Sequence, residues 1–253
     1  MRQPKAILIT GASSGIGEAL ARCYAAPGIF LALVGRDVER LAAVARACES
    51  RGARVATCTA DVTHGAGLAA WIETIDQQEP LDLVIANAGV SGGTAGGGES
   101  AAQLRRIISI NVDGVLNTVL PVIPRMVARG RGQIALMSSL ASFRGFPGAP
   151  AYCASKALVR VWGESLRPDL AQKGVQVSVI CPGYVVSRMT AANDFPMPLL
   201  MPADRAAAII RRGLARNKAR IAFPWPIYAL TRLIAALPAG LIEPLLARLP
   251  RKR

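Results

Sequence analysis

The chain has 253 residues, 52% of them hydrophobic but only 5% aromatic, and a formal net charge of +14. That length suits one large α/β domain or two small ones, and the aliphatic composition suits a buried parallel sheet covered by helices. A single histidine, His64, and five scattered cysteines (Cys23, Cys48, Cys58, Cys153, Cys181) with no Cys-x-x-Cys pair argue against a metal centre, so no metal is expected.

The charge is uneven. Between Asp204 and Arg253 lie eleven Lys/Arg and two acids, which puts +9 of the +14 in the last fifth of the chain. Such asymmetry points to an anionic partner, either an anionic membrane or an acidic carrier protein; merely solvated arginines account for it equally well. Nucleic acid is not among the expected partners. Met1 to Lys5 runs straight into an apolar stretch without the pattern of a secretory signal. The expected location is the cytoplasm, with a peripheral position at the membrane surface as a variant.

Lys5-Ala6-Ile7-Leu8-Ile9-Thr10 is a short apolar run and reads as a first strand. Gly11-Ala12-Ser13-Ser14-Gly15-Ile16-Gly17 follows at once, and Glu18 to Ala26 then has helical periodicity. Glycines between a strand and a helix let the backbone turn tightly and aim helix N–H groups at a pyrophosphate. Ile29 to Val34 is a second strand, ending in Gly35-Arg36-Asp37. In a dinucleotide fold this end faces the adenosine ribose, where an acid bonds the 2′-hydroxyl and an arginine suits a 2′-phosphate. Gly35 stands where the acid is expected and Arg36 follows, which favours NADP(H) over NAD(H). Asp37 reads as the N-cap of a helix from Val38 to Ser50.

Ala53 to Ala60 is a third strand closed by Asp61-Val62, where Asp61 either bonds adenine or caps the next helix, Gly67 to Gln78. Leu81 to Ala86 is a fourth strand, followed by Asn87-Ala88-Gly89. The small residues there allow close backbone approach to a ribose, and the Asn87 side chain can tie neighbouring strands together. Ser100 to Arg129 reads as one long helix with Asn111 buried in its middle, in need of partners. Gln133 to Met137 is a fifth strand that delivers Ser139 to the mouth of the sheet.

The helix carrying Tyr152 runs to Lys173, interrupted by Pro168, and Val175 to Cys181 is a sixth strand ending in Pro182-Gly183. Residues 185–217 are expected to hold a substrate lid, apolar from Val185 to Leu200, with Asp204 capping a helix from Arg205 to Arg216. Arg220 to Phe223 is a seventh strand. Residues 225–253 form a basic, apolar extension broken by Pro226, Arg232, Pro238, Glu243 and Pro244. No uninterrupted run there approaches the roughly 20 apolar residues of a spanning helix. Its pieces suit a membrane surface, a dimer contact or a cover for the substrate pocket. No repeat, linker or second domain is evident over residues 1–253. The order of elements predicts an α/β chain: a single-domain Rossmann fold, with a doubly wound seven-stranded parallel sheet and helices on both faces.

The chemistry concentrates between Ser139 and Lys156. Tyr152 and Lys156 are four apart, so on a helix they share a face. A nearby ammonium favours the phenolate and is expected to lower the tyrosine pKa from its ordinary value of about 10. A phenol tuned in that way exchanges a proton near neutral pH. A Tyr-x-x-x-Lys pair alone is equally a surface tyrosine beside a solvated lysine, so its weight comes from the surrounding motifs.

Thr10-Gly-Ala-Ser-Ser-Gly-Ile-Gly17, Asn87-Ala-Gly89, Asn111, Ser139, Tyr152-Cys-Ala-Ser-Lys156 and Pro182-Gly183 stand in an order and spacing that resembles the short-chain dehydrogenase/reductase family over residues 5 to 223. The resemblance implies a catalytic tetrad of Asn111, Ser139, Tyr152 and Lys156. It implies cofactor contacts at Gly11, Ser13, Ser14, Gly15, Ile16, Gly17, Arg36, Asp61, Val62, Asn87, Ala88, Gly89, Tyr152, Lys156, Pro182, Gly183, Val185 and Ser187. Two positions depart from the family pattern. Ala86 replaces a second Asn before Asn-Ala-Gly, and Ser14 stands where NADP-preferring members often carry a basic residue. By this resemblance the chain is an NADP(H)-dependent oxidoreductase acting on a carbonyl or secondary alcohol, with a homo-oligomeric (dimeric or tetrameric) state. The apolar regions suggest a hydrophobic substrate: a lipid, a steroid-like compound or an acyl chain. A protein that senses NADP(H) without turnover, or one that acts only at a membrane surface, is the alternative.

Overall fold

A computed structural model describes residues 3–94 and 98–246. Seven parallel strands form one sheet in the order β3-β2-β1-β4-β5-β6-β7. They are β1 (Ala6–Thr10), β2 (Phe30–Gly35), β3 (Arg54–Thr59), β4 (Leu83–Ala86), β5 (Gly132–Met137), β6 (Val175–Pro182) and β7 (Arg220–Phe223). β1, β2, β4 and β5 are buried along their whole length, as their continuous aliphatic runs require. β3 is half exposed because it is an edge strand. Each crossover carries helix, and the helices cover both faces. One face packs Leu20, Leu41, Ile210 and Leu214 on Ile7, Ile9, Leu31 and Leu33. The other packs Leu68, Ile72, Val115 and Met126 on Leu8, Val34, Val84 and Ile134.

The helices are α1 (Gly15–Tyr24), α2 (Val38–Glu49), α3 (Gly65–Gln78), α4 (Ala101–Ile108), α5 (Gly114–Val119), α6 (Ile123–Ala128), α7 (Pro150–Ala171), α8 (Arg188–Ala191), α9 (Ala203–Ala215), α10 (Trp225–Ala236) and α11 (Ala239–Leu246). α1 begins inside the glycine motif itself, at Gly15, three residues before the expected start. Asp37 caps α2 as anticipated, accepting from the Arg40 N–H.

Four expectations need correction. The long helix from Ser100 to Arg129 is three helices: a π-turn spans Ser109–Asp113, and Leu120 to Val122 form a turn around Pro121. Pro168 does not interrupt α7, which runs through it to Ala171. Asp204 is not a cap. Pro202 holds that position, and Asp204 sits in the first turn of α9, where its charge complements the helix dipole. Nor does Asp61 cap α3, whose N-cap is His64; its carboxylate instead takes the N–H and hydroxyl of Thr63, at 3.0 and 2.9 Å.

Candidate active site

The strand order reverses between β1 and β4, and the motif residues gather at the carboxyl ends of β1, β4, β5 and β6. At β1 the turn is closed by contacts that leave no room for side chains. A Cβ on Gly17 would stand 2.2 Å from the Gly11 carbonyl oxygen and 2.6 Å from Asn87 Nδ2. Asn87 Nδ2 donates to the carbonyls of Thr10 and Gly11, at 2.9 and 3.3 Å, so it does tie β4 to β1. Thr10 returns the favour by accepting from the N–H groups of Asn87 and Ala88 through its hydroxyl.

Ser14, the N-cap of α1, makes no side-chain cap bond. The first N–H groups of α1 are therefore not satisfied by their own cap, the arrangement that suits an anion. A cavity of about 760 Å³ opens beside this turn, lined among others by Ser13, Ser14, Gly15, Arg40, Ser187 and Arg188. Ser139 and Tyr152 do not line it; it borders the glycine turn from the side of α8. Ser187 caps α8 in a reciprocal pair with Thr190, and its Cβ lies 3.0 Å from where a Cβ on Gly15 would stand. The segment after Pro182 thus folds against the glycine turn. The residues fit a dinucleotide: a tight glycine cradle, an uncapped helix start and a groove bounded by hydroxyls.

Arg36 and Asp61, at the ends of β2 and β3, bond each other at 3.3 Å. Burial pushes the Asp61 carboxyl up, but the Thr63 bonds and Arg36 outweigh it, and the group titrates below the ordinary carboxylate value. Val62 points its side chain into the core. It is buried, packs where Gly114 lacks a side chain, and its carbonyl accepts from Asn117 at 2.9 Å. Val185 is also buried, bridging Met201. Gly183 donates its N–H to Phe223 at 2.7 Å.

Ser139 follows β5 in extended conformation and opens a short 3₁₀ turn, Leu140–Ser142, whose Ala141 N–H it accepts at 3.1 Å. Its hydroxyl also lies near enough to the Tyr152 phenol to pull that group's pKa down. Lys156 is 3% exposed, its Nζ donating to the Met137 carbonyl at 3.0 Å and standing 5.9 Å from the Tyr152 ring centre. A Cβ on Gly89 would come within 3.2 Å of that Nζ, so Gly89 is small because the lysine head passes there. Ser139, Tyr152 and Lys156 therefore meet in one corner, between the ends of β4 and β5.

The electrostatics differ from the expectation. Burial raises the Tyr152 phenol above the ordinary tyrosine value, and the neighbouring Ser139 hydroxyl only partly offsets that rise. Burial also lowers Lys156, to about 8. Desolvation is the largest influence on both groups, and Lys156 is not among the neighbours that shift the phenol.

Asn111 explains the π-turn. Its side chain is fully buried, accepts from the Val90 N–H at 2.8 Å, and donates to the Val90 carbonyl and the Ser155 hydroxyl at 2.9 and 3.0 Å. The extra residue in the turn, closed by the Gly114 N–H on the Ser109 carbonyl, lets this amide bind the β4 loop and α7 together. Both amide donors are spent on protein.

Glu99 was not anticipated. Ala149, the N-cap of α7, has no side chain able to cap, and the Glu99 carboxylate accepts from the Ala151 N–H at 2.9 Å instead. No local spacing announces this contact, because 52 residues separate the partners.

Comparison with known proteins agrees with this site. The sequence profile of the family described as "short chain dehydrogenase" matches residues 5–195. An uncharacterized oxidoreductase of Myxococcus xanthus is 41% identical over 243 residues, covering 96% of each chain. Among solved structures, a short-chain dehydrogenase from Sphingobium yanoikuyae in complex with NADPH is similar with a TM-score of 0.80 at 29% identity, over 97% of this chain and 96% of that one. A short chain dehydrogenase/reductase from Burkholderia phymatum in complex with NAD is similar with a TM-score of 0.84 at 26% identity, over 100% and 98%. With a matching profile, a glycine cradle for a nicotinamide dinucleotide and a Ser-Tyr-Lys corner at the sheet's carboxyl edge, this chain belongs to the short-chain dehydrogenase/reductase family of oxidoreductases.

Proposed function

We propose that the protein reduces a hydrophobic ketone, or oxidises the matching secondary alcohol, with NADP(H) preferred to NAD(H). The observation that carries the reading is the Ser139 hydroxyl beside the Tyr152 phenol, with the Lys156 head buried 5.9 Å from the same ring centre. A bound nicotinamide supplies or accepts the hydride at the carbonyl carbon. Ser139 holds the carbonyl oxygen by its hydroxyl. Tyr152 gives its proton to that oxygen as negative charge develops, so the product is a neutral alcohol. Its raised pKa keeps the phenol protonated and ready to donate at neutral pH. Lys156, charged below about pH 8, stabilises the phenolate left behind. Asn111 acts as a positioning residue, bracing the Val90 loop against Ser155 of α7.

The cofactor preference is supported by what surrounds the end of β2. A Cβ on Gly35 would lie 3.1 Å from the Ser13 side chain, so an acid is not accommodated there. Asp37 is spent on its cap and on Arg40, which leaves Arg36, about half exposed, facing outward. The substrate class is supported by the apolar side chains after Gly183. Val186, Met189, Leu199 and Leu200 are exposed, and the Tyr184 and Phe195 rings meet edge to face at 6.0 Å. We infer a cytoplasmic homo-oligomer: Leu158 and Val161 of α7 lie exposed one turn apart, a self-complementary stripe for a second copy.

A panel of apolar ketones assayed by cofactor absorbance tests the reading. NADPH should outperform NADH, and Arg36→Ala should cut that preference by roughly 10- to 100-fold, the worth of a charge-assisted phosphate contact. Tyr152→Phe should lower kcat by about 10²- to 10⁴-fold while the cofactor still binds. Equal turnover in Tyr152→Phe would refute the mechanism, and NADH outperforming NADPH would refute the cofactor preference.

A further inference from the structure

The outward face of α10 is apolar and uncovered. Its inward side is fully used. Ile227 and Tyr228 pack on Leu140, Val179 and Cys181, the Tyr228 hydroxyl accepts from Arg220 at 3.1 Å, and Thr231 is buried. On the opposite side Pro226, Leu230, Leu233 and Leu237 recur at helical steps, all exposed. Leu233 is 62% exposed, and Trp225 at the start of α10 and Leu241 on α11 are 73% exposed. Large apolar side chains gathered in one such stripe mark an interaction surface.

Charge selects the occupant. The one ionic side chain on α10 is Arg232, exposed at the edge of the helix with its guanidinium 5.8 Å from the Phe143 ring centre. After Glu243 the sequence adds Arg248, Arg251, Lys252 and Arg253 and no acid. A second copy adds a second set of these cations and no compensating acid, since a two-fold contact pairs a sequence with itself. The exposed stripe on α7 offers a copy of this chain a face without that repulsion. An anionic lipid surface satisfies both features: the acyl boundary takes tryptophan and leucine, and the headgroups take the cations.

We propose that α10 and α11 lie flat on an anionic phospholipid surface. The stripe adjoins the catalytic side of the molecule. Arg144 donates to the Leu237 carbonyl at 3.0 Å, tying the loop after Ser139 to the end of α10, and the Phe143 ring sits 5.6 Å from that of Tyr228. For the proposed activity this sets the cleft beside a reservoir of apolar carbonyl compounds; the docking itself does not depend on that activity.

Cosedimentation of the full chain with vesicles tests the proposal. One set is three parts phosphatidylcholine to one part phosphatidylglycerol, the other phosphatidylcholine alone. The parent protein should pellet with the anionic vesicles and bind the neutral ones at least about tenfold more weakly. The double variant Leu230→Asp/Leu233→Asp, at exposed positions, should keep its thermal melt and its turnover in water yet lose vesicle binding by at least about tenfold. The proposal is overturned if the parent stays in the supernatant or if the double variant pellets like the parent. It is equally overturned if sedimentation velocity shows the variant falling to a smaller oligomer while the parent ignores both vesicle types, since a second copy would then be the occupant.

Discussion

Lys156 is a cation that the fold withdraws from water almost completely. The only described hydrogen bond of its Nζ is to the Met137 carbonyl, and its pKa drops to about 8 because burial disfavours the charge. The consequence for stability has a definite sign. An unfolded lysine titrates near 10.4, so between about pH 8 and 10.4 the unfolded chain holds the proton and the folded one does not. Stability therefore rises with pH across that window. Below about 8 both states are protonated and the full cost of burying the cation stands, roughly 3 kcal/mol for a shift of this size. Lys156→Met removes that cost along with the catalytic charge. The variant should be more stable than the parent at pH 7 in denaturant titrations, and the gap should close toward pH 10. A gap that stays constant with pH would show that the lysine is not buried as a cation. The function thus rests on a residue that opposes folding, as active-site charges commonly do.

At the scale of elements, α7 is held at three places along its first turns. Glu99 caps its start, the Asn111 amide donates to Ser155, and Ser138 donates to the Lys156 carbonyl at 2.8 Å. The cap matters most, because Ala149 offers nothing in its place and Pro150 has no N–H to satisfy. A carboxylate at a helix N-terminus contributes through a hydrogen bond and through the dipole, together about 1 kcal/mol. Glu99→Ala should lower stability by about that amount and loosen the placement of Tyr152 one residue on. Turnover is expected to fall more than cofactor affinity. Glu99→Gln keeps an acceptor and should restore most of kcat; a Gln variant as impaired as Ala would assign the effect to charge and not to the hydrogen bond. The π-turn around Asn111 belongs to the same scale: one extra residue in the helix turns a buried amide toward two neighbouring elements at once.

Over the whole molecule, the sheet order brings residues far apart in the chain to one edge. Asn87 reaches the Thr10 carbonyl across 77 positions, and Ser155 meets Asn111 across 44. Much of this was legible beforehand, because aliphatic runs of strand length alternate with amphipathic stretches and each boundary is marked by Gly, Asn or Ser. The strand count, the glycine turn, the Asp37 cap and the grouping of Ser139, Tyr152 and Lys156 all follow from local pattern and from motif spacing. The breaks in the chain from Ser100 to Arg129 did not, since a π-turn is stabilised by its tertiary partners and not by its own sequence. Nor did the direction of the Tyr152 shift. Spacing places a lysine beside a phenol, but only packing tells how much water surrounds them, and burial set the direction of the shift. The sequence by itself determined which groups meet at the carboxyl edge of the sheet, because periodicity and small-residue turns are local properties of the chain. The tertiary structure decided their pKa values, the distant Glu99 cap, the core position of Val62 and which face of α10 stays bare, because burial and long-range contact depend on what every other element leaves exposed.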